Sequence, residues 1–297
     1  MMTLLLKRGL PVLLLSIMPL FVMAQGFPLP DVPKELKGIE ARANYLALHY
    51  WDRYDFTDNA LIGNVDVSEQ GFSNFISIMP YVTDKDAVFA QFAENIASNQ
   101  RMADYFVALG MKYLYEQASP VYDEGLYILM LEKILEQPAL PENLRQEFGF
   151  DLKMAKKNRV GDVAADFSFL TRAGERSTLL KTKGEYVLLV LGDPECDYCN
   201  VAKEELSAMP SVGHLVDEDR LKVLFVCVEG MSDAWKESRA PKGWIDVCDD
   251  RMEIHRGLLY EIPGLPVLYL LDKNHRVLLK NTTPAVVEDF FSERWAF

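Results

Sequence analysis

The stretch VLLVLGDPECDYCNVAKEEL, residues 187–206, governs how the rest of the chain is read. An apolar run of strand type, Val187 to Leu191, meets two cysteines separated by two residues, Cys196 and Cys199. A stretch follows in which Cys199, Ala202, Leu206 and Met209 share one helical face before Pro210. Two thiols so spaced can be a redox couple, a metal clip or a structural staple.

A zinc site normally takes four ligands, commonly two such cysteine pairs or one pair with two histidines. This chain has one pair, and its four histidines, His49, His214, His255 and His275, show no ligand spacing. No metal and no cofactor is therefore expected. A redox couple needs a strand that stops abruptly and a helix N-terminus holding the first sulfur, because the positive end of the helix favours the thiolate that attacks disulfides. Position 196 fits that placement. The two-residue gap sets Cys199 one turn into the helix, shielded, and able to reach back to close a disulfide and release a bound substrate.

The 297 residues are 49% hydrophobic and 25% charged, a globular balance with length enough for two domains. Lys7 and Arg8, an apolar stretch over 9–21 and Val22-Met23-Ala24 make the pattern of a cleaved secretory signal over 1–24. The apolar stretch falls short of the roughly 20 residues of a spanning helix, and no cysteine follows the cleavage site for lipidation. An exported, periplasmic chain without stable membrane insertion is expected. The formal net charge of −13, or −15 without Lys7 and Arg8, repels phosphate backbones, so nucleic acid is excluded as a partner.

Residues 25–157 read as an all-helical domain. Val88, Phe89, Phe92 and Ile96 form one stripe after a cap at Thr83, Met102 to Tyr113 carries a second, Leu126 to Leu135 a third, and Pro141 opens a fourth helix. HYWDRYDF, residues 49–56, reads as an amphipathic helix with its aromatics inward and its acids in solvent. Past the basic run Lys153 to Arg159 the vocabulary changes. Residues 158–297 show a hairpin about Gly174, then apolar strands alternating with helices, the mark of an α/β domain with a mainly parallel sheet. Cys227, in KVLFVCVEG, fits a buried strand, and Cys248 follows in WIDVCDD; a disulfide between them requires their strands to be neighbours.

Residues 160–297 resemble the thioredoxin superfamily, specifically the exported TlpA/ResA-like thiol-disulfide oxidoreductases. The resemblance rests on VGDVAADFSF before a hairpin, the strand leading to Cys196-x-x-Cys199, and YEIPGLPVLYLLDKNHRV some seventy positions on. It implies a thioredoxin-like α/β fold with Cys196 as nucleophile and Cys199 as resolving thiol. It also implies a cis Pro266 opposite them, and a substrate groove shaped by Leu265, Asp197 and Tyr198. Three positions depart from the pattern: Glu195 stands where many members have tryptophan, Ala202 where many have glutamate, and Val187–Leu191 lacks a buried aspartate. No evident proton acceptor for Cys199 remains. The helical half resembles a domain of unknown function that precedes exported thioredoxin folds, on ARANYLALHYWDRYDFTDNALI, residues 41–62.

The expected function is an exported thiol-disulfide oxidoreductase. Its partners would be protein thiols and disulfides and a membrane or exported redox donor. Asp193, Glu195 and Asp197 crowd Cys196 with negative charge that disfavours its thiolate, so the couple is expected to be comparatively reducing. The alternative is a thioredoxin-fold binding or scaffold module with little turnover. A peroxidase is disfavoured, because the Pro-x-x-x-Thr/Ser-x-x-Cys arrangement is absent ahead of Cys196.

Overall fold

A computed structural model describes residues 26–117 and 119–294. The signal expected over 1–24 lies outside the described residues. Among the described residues, six α-helices build the first half: α1 Ile39–Leu48, α2 Gln70–Ile78, α3 Lys85–Ala97, α4 Gln100–Gly110, α5 Glu124–Leu135 and α6 Glu142–Ala155. Short acidic or amide side chains start three of them by accepting otherwise unpaired first-turn N–H groups: Asp84 caps α3, Asn99 caps α4 and Asp123 caps α5. The α3 cap is thus Asp84 and not Thr83. Thr83 is engaged elsewhere, its Oγ1 accepting from Asn44 Nδ2 at 2.9 Å while its N–H donates to Asn44 Oδ1 at 2.9 Å.

HYWDRYDF is not a helix: α1 ends at Leu48, and the run lies in turns. In a helix, Tyr50 and Phe56 six residues apart could not share a face with Trp51 and Tyr54 between them. Turns allow all four rings to enter one core, while Asp52 and Asp55 stay in solvent. Trp51 meets Phe27, Tyr54, Phe75, Phe92 and Phe106, with ring centroids 5.2–5.5 Å apart.

The second half is a seven-stranded sheet of β1 Ser168–Thr171, β2 Arg176–Thr178, β3 Tyr186–Gly192, β4 Leu221–Cys227, β5 Ile245–Cys248, β6 Val267–Asp272 and β7 Val277–Thr282. Helices α7 Asp197–Ala208, α8 Pro210–Asp217, α9 Asp233–Glu237, α10 Glu253–Arg256 and α11 Pro284–Ser292 interrupt and close it. The strand order is β2-β1-β5-β4-β3-β6-β7. Only β3–β4 and β4–β5 are parallel; the other four pairs are antiparallel, so the sheet is mixed and not mainly parallel. Tight turns at Gly174 and Lys273–His275 reverse the chain within hairpins, which forces antiparallel pairing at both edges.

Strand β3 is central and covered on both faces. Val187, Leu189 and Leu191 join a core with Phe167, Val267 and Tyr269, while Leu188 and Val190 join another with Leu206, Leu215, Phe225 and Phe291. That burial explains its unbroken apolar run. The two halves are tied at β7. Lys280, 2% exposed, donates from Nζ to Glu124 on α5 and to the Ala155 carbonyl at 2.8 Å. Tyr115, in the π-helical turn Met111–Tyr115, donates its hydroxyl to Glu261, ahead of β6.

Candidate active site

Strand β3 stops at Gly192, and Asp193-Pro194-Glu195 carries the chain to Cys196, the N-cap of α7. The cap is the thiol itself: Cys196 Sγ accepts from the Cys199 N–H at 3.2 Å. A second donor reaches the same sulfur, since the Cys199 thiol lies 2.6 Å from it. Cys196 is partly exposed and Cys199 fully buried, so a substrate meets the first thiol and not the second. Burial, then the hydrogen bond to Cys196, pushes the Cys199 thiol up to about 12.

The peptide bond between Leu265 and Pro266 is cis, and the Leu265 carbonyl stands 3.6 Å from Cys196 Sγ. Four residues distant in sequence, Cys196, Cys199, Leu265 and Pro266, are thereby brought together. Tyr198, 79% exposed, and Asp197 stand beside them at the surface. Gly192 allows the helix to sit this low on the sheet. A Cβ there would come within 3.0 Å of the Phe225 ring and 3.3 Å of Cys199 Sγ.

Asp193 departs from the expectation that three carboxylates crowd Cys196. Glu195 and Asp197 are exposed, but Asp193 is buried and turned inward. Its Oδ1 accepts the Glu195 N–H at 2.7 Å, a local turn that Pro194 helps to fix. Its backbone N–H is directed at the Cys199 sulfur and its charge acts on that thiol, while Oδ2 lies 3.8 Å from Cys227 Sγ. A buried carboxylate therefore stands 3.8 Å from the Cys227 thiol, and its charge is felt at Cys199, from a position just past β3, which itself lacks a buried aspartate. An aspartate followed by proline at a strand end was the signal available.

Cys227 and Cys248 are register partners on β4 and β5, fully buried and packed against Trp235, and all four cysteines are free thiols. The hydrogen bond with Cys248, then burial, holds the Cys227 thiol far above its ordinary range. Arg172 stacks on the Trp235 ring at 3.9 Å and donates to Asp246 Oδ2 at 2.8 and 2.9 Å, closing this end of the sheet. A separate cleft of about 320 Å³ lies where α6 meets residues 254–263; Asp151, His255 and Glu261 line it, and no cysteine does.

Two families match in succession: a domain of unknown function (DUF5106) over residues 15–158, and a thioredoxin-like domain over residues 176–284. A thioredoxin-like protein from Bacteroides caccae ATCC 43185 is similar along the whole architecture. Identity is 30%, with 91% of this chain and 99% of that one covered at a TM-score of 0.77. The chain belongs to this family of thioredoxin-like proteins. Two further structures match less than half of this chain. The C-terminal domain of an uncharacterized protein from Bacteroides fragilis NCTC 9343 is 35% identical, covering 46% of this chain and 98% of its own, at a TM-score of 0.44. A thiol-disulfide oxidoreductase from the same organism is 21% identical, covering 45% of this chain and 100% of its own, at a TM-score of 0.39. No curated protein matches the chain.

Proposed function

We propose that this family member is an exported thiol-disulfide oxidoreductase that works through Cys196 and Cys199 and favours reduction. The observation that carries the reading is the pair of sulfurs 2.6 Å apart at the start of α7, with the first facing the Leu265 carbonyl. The Cys196 thiolate attacks one sulfur of a substrate disulfide. The other substrate sulfur leaves as a thiolate and takes a proton from solvent, and a mixed disulfide remains. Cys199 then attacks Cys196 Sγ and its proton passes to the second substrate sulfur, which departs as a thiol as the enzyme disulfide closes. The backbone of Leu265, beside the proline, pairs with an extended substrate segment in the groove flanked by Asp197 and Tyr198.

Protein disulfides are the substrates, and an exported or membrane donor returns the electrons. Among the described residues no helix is long and apolar enough to cross a membrane.

Insulin reduction with dithiothreitol as donor tests the reading. The wild type accelerates precipitation of the insulin B chain, and Cys196→Ser falls to the uncatalysed rate. Equal rates for the two proteins would instead favour a scaffold. Export is tested by the N-terminus of the protein recovered outside the cytoplasm, which should be Gln25.

A further inference from the structure

Gly192, Cys227 and Cys248 stand side by side on β3, β4 and β5, successive partners along one rung of parallel strands. In-register residues of parallel strands point to the same face, here the face that α7 covers. Cys199 sits directly over Gly192, the one member of the rung with no side chain. The sulfurs therefore form a file that runs from the surface inward: Cys196, Cys199, Cys227, Cys248. Strands roughly 4.8 Å apart fall within the separation of about 4.4–6.8 Å that a disulfide spans between α-carbons.

Asp193 joins the two pairs, its N–H directed at Cys199 and its carboxylate 3.8 Å from Cys227 Sγ. Two cysteines serving only as small apolar filler gain nothing from facing a buried carboxylate. Nothing in solution reaches Cys227 or Cys248, both 0% exposed behind the Arg172–Trp235 stack. Any oxidant must arrive from within, and Cys199 is the neighbouring sulfur.

We propose that Cys227 and Cys248 are a second dithiol that exchanges two electrons with the Cys196–Cys199 pair. The proposal rests on the redox reading of that first pair. Starting from the Cys196–Cys199 disulfide, Cys227 passes its proton to Asp193 and attacks the Cys199 sulfur. The Cys196–Cys199 bond breaks, and Cys196 leaves as a thiolate that takes a proton from solvent. Cys248 next attacks Cys227 and displaces Cys199, which takes the proton held by Asp193, while the proton of Cys248 passes to the emptied Asp193 carboxylate and from there to solvent at the surface end of the file. One disulfide is reduced and one formed, two protons are released and two taken up, and no outside reductant is needed. The inner pair acts as a two-electron store behind the exposed couple, so one fully reduced molecule can reduce two substrate disulfides before it needs its donor.

The test is peptide mapping of the full-length protein after exposure to oxidised glutathione, acid quenching and alkylation in denaturant. The wild type should lose all four thiols and yield both Cys196–Cys199 and Cys227–Cys248. The Cys196→Ser/Cys199→Ser variant should keep Cys227 and Cys248 alkylatable, and Cys248→Ser should trap a Cys199–Cys227 link with Cys196 free. A closed outer pair beside a persistently reduced inner pair overturns the relay and leaves the proposed function standing. So does an inner disulfide that forms equally fast in the double variant, or the absence of the trapped link. Failure of the outer pair to close overturns both.

Discussion

In the helical half, Trp51, Phe75, Phe92 and Phe106 meet ring to ring in a single centre that takes in the apolar faces of α1 to α6. In the sheet half, the apolar side chains divide into two clusters on opposite faces of β3, and the strand ends between them hold sulfur and a buried carboxylate. Packing helices around one aromatic centre leaves no open end for a reagent. A sheet sandwiched between layers must end somewhere, and its strand ends present backbone and side chains to whatever helix begins there. Stability and chemistry are thereby assigned to different halves, and the contacts at Lys280 and Glu261 are where one can affect the other.

The harshest test of that division is Trp51→Ala. The indole is 4% exposed and packs against rings on five sides, so its removal leaves a cavity costing about 3–5 kcal/mol in urea unfolding. Insulin reduction per folded molecule should be unchanged. A folded variant with impaired reduction would break the division.

Glu124→Ala cuts the tie between the halves. It strands the Lys280 ammonium, whose side chain is 1% exposed, with only the Ala155 carbonyl at 2.8 Å as a described acceptor. An uncompensated buried charge costs about 3 kcal/mol, and Lys280→Met added to the same variant should return much of it. Denaturant midpoints of the two variants give the answer; a Glu124→Ala protein as stable as the wild type would show that water already reaches the ammonium.

The two halves also differ in how far local sequence reveals them. The change of period near residue 160, the hairpin at Gly174 and the apolar β3 could be read directly because each depends on neighbours within a few residues. The spacing of Cys196 and Cys199 places one thiol at a helix start and the other a turn inside for the same reason. What the sequence left hidden was tertiary. The aromatic run at 49–56 leaves the helix because rings on α2, α3 and α4 surround it. The inward turn of Asp193 and the rung shared by Cys227 and Cys248 depend on strand register, which no local pattern encodes.

The smallest expected effect concerns Asp151, on α6 beside the cleft where the halves meet. Burial raises its carboxyl from 3.8 to about 6, and the charges of Glu147 and Glu261 add to the shift. A carboxyl raised in the folded state holds its proton more tightly than in the unfolded chain. Its contribution to stability is fully present below about pH 3.8 and is lost as pH rises through about 6. Asp151→Asn carries no such dependence, so above pH 6 the variant should be the more stable protein, and the gap should close as pH falls toward 4. Because the side chain is partly exposed, solvent screening reduces the difference to roughly 1 kcal/mol. Comparing wild type with variant cancels the opposing carboxylates held low by Arg176 and Arg220, which destabilise both proteins alike in acid. Thermal melts of the pair at pH 4.5 and 7.5 measure the gap. An equal gap at both values would place the carboxyl in water and leave the joint between the halves without a titrating group at that position.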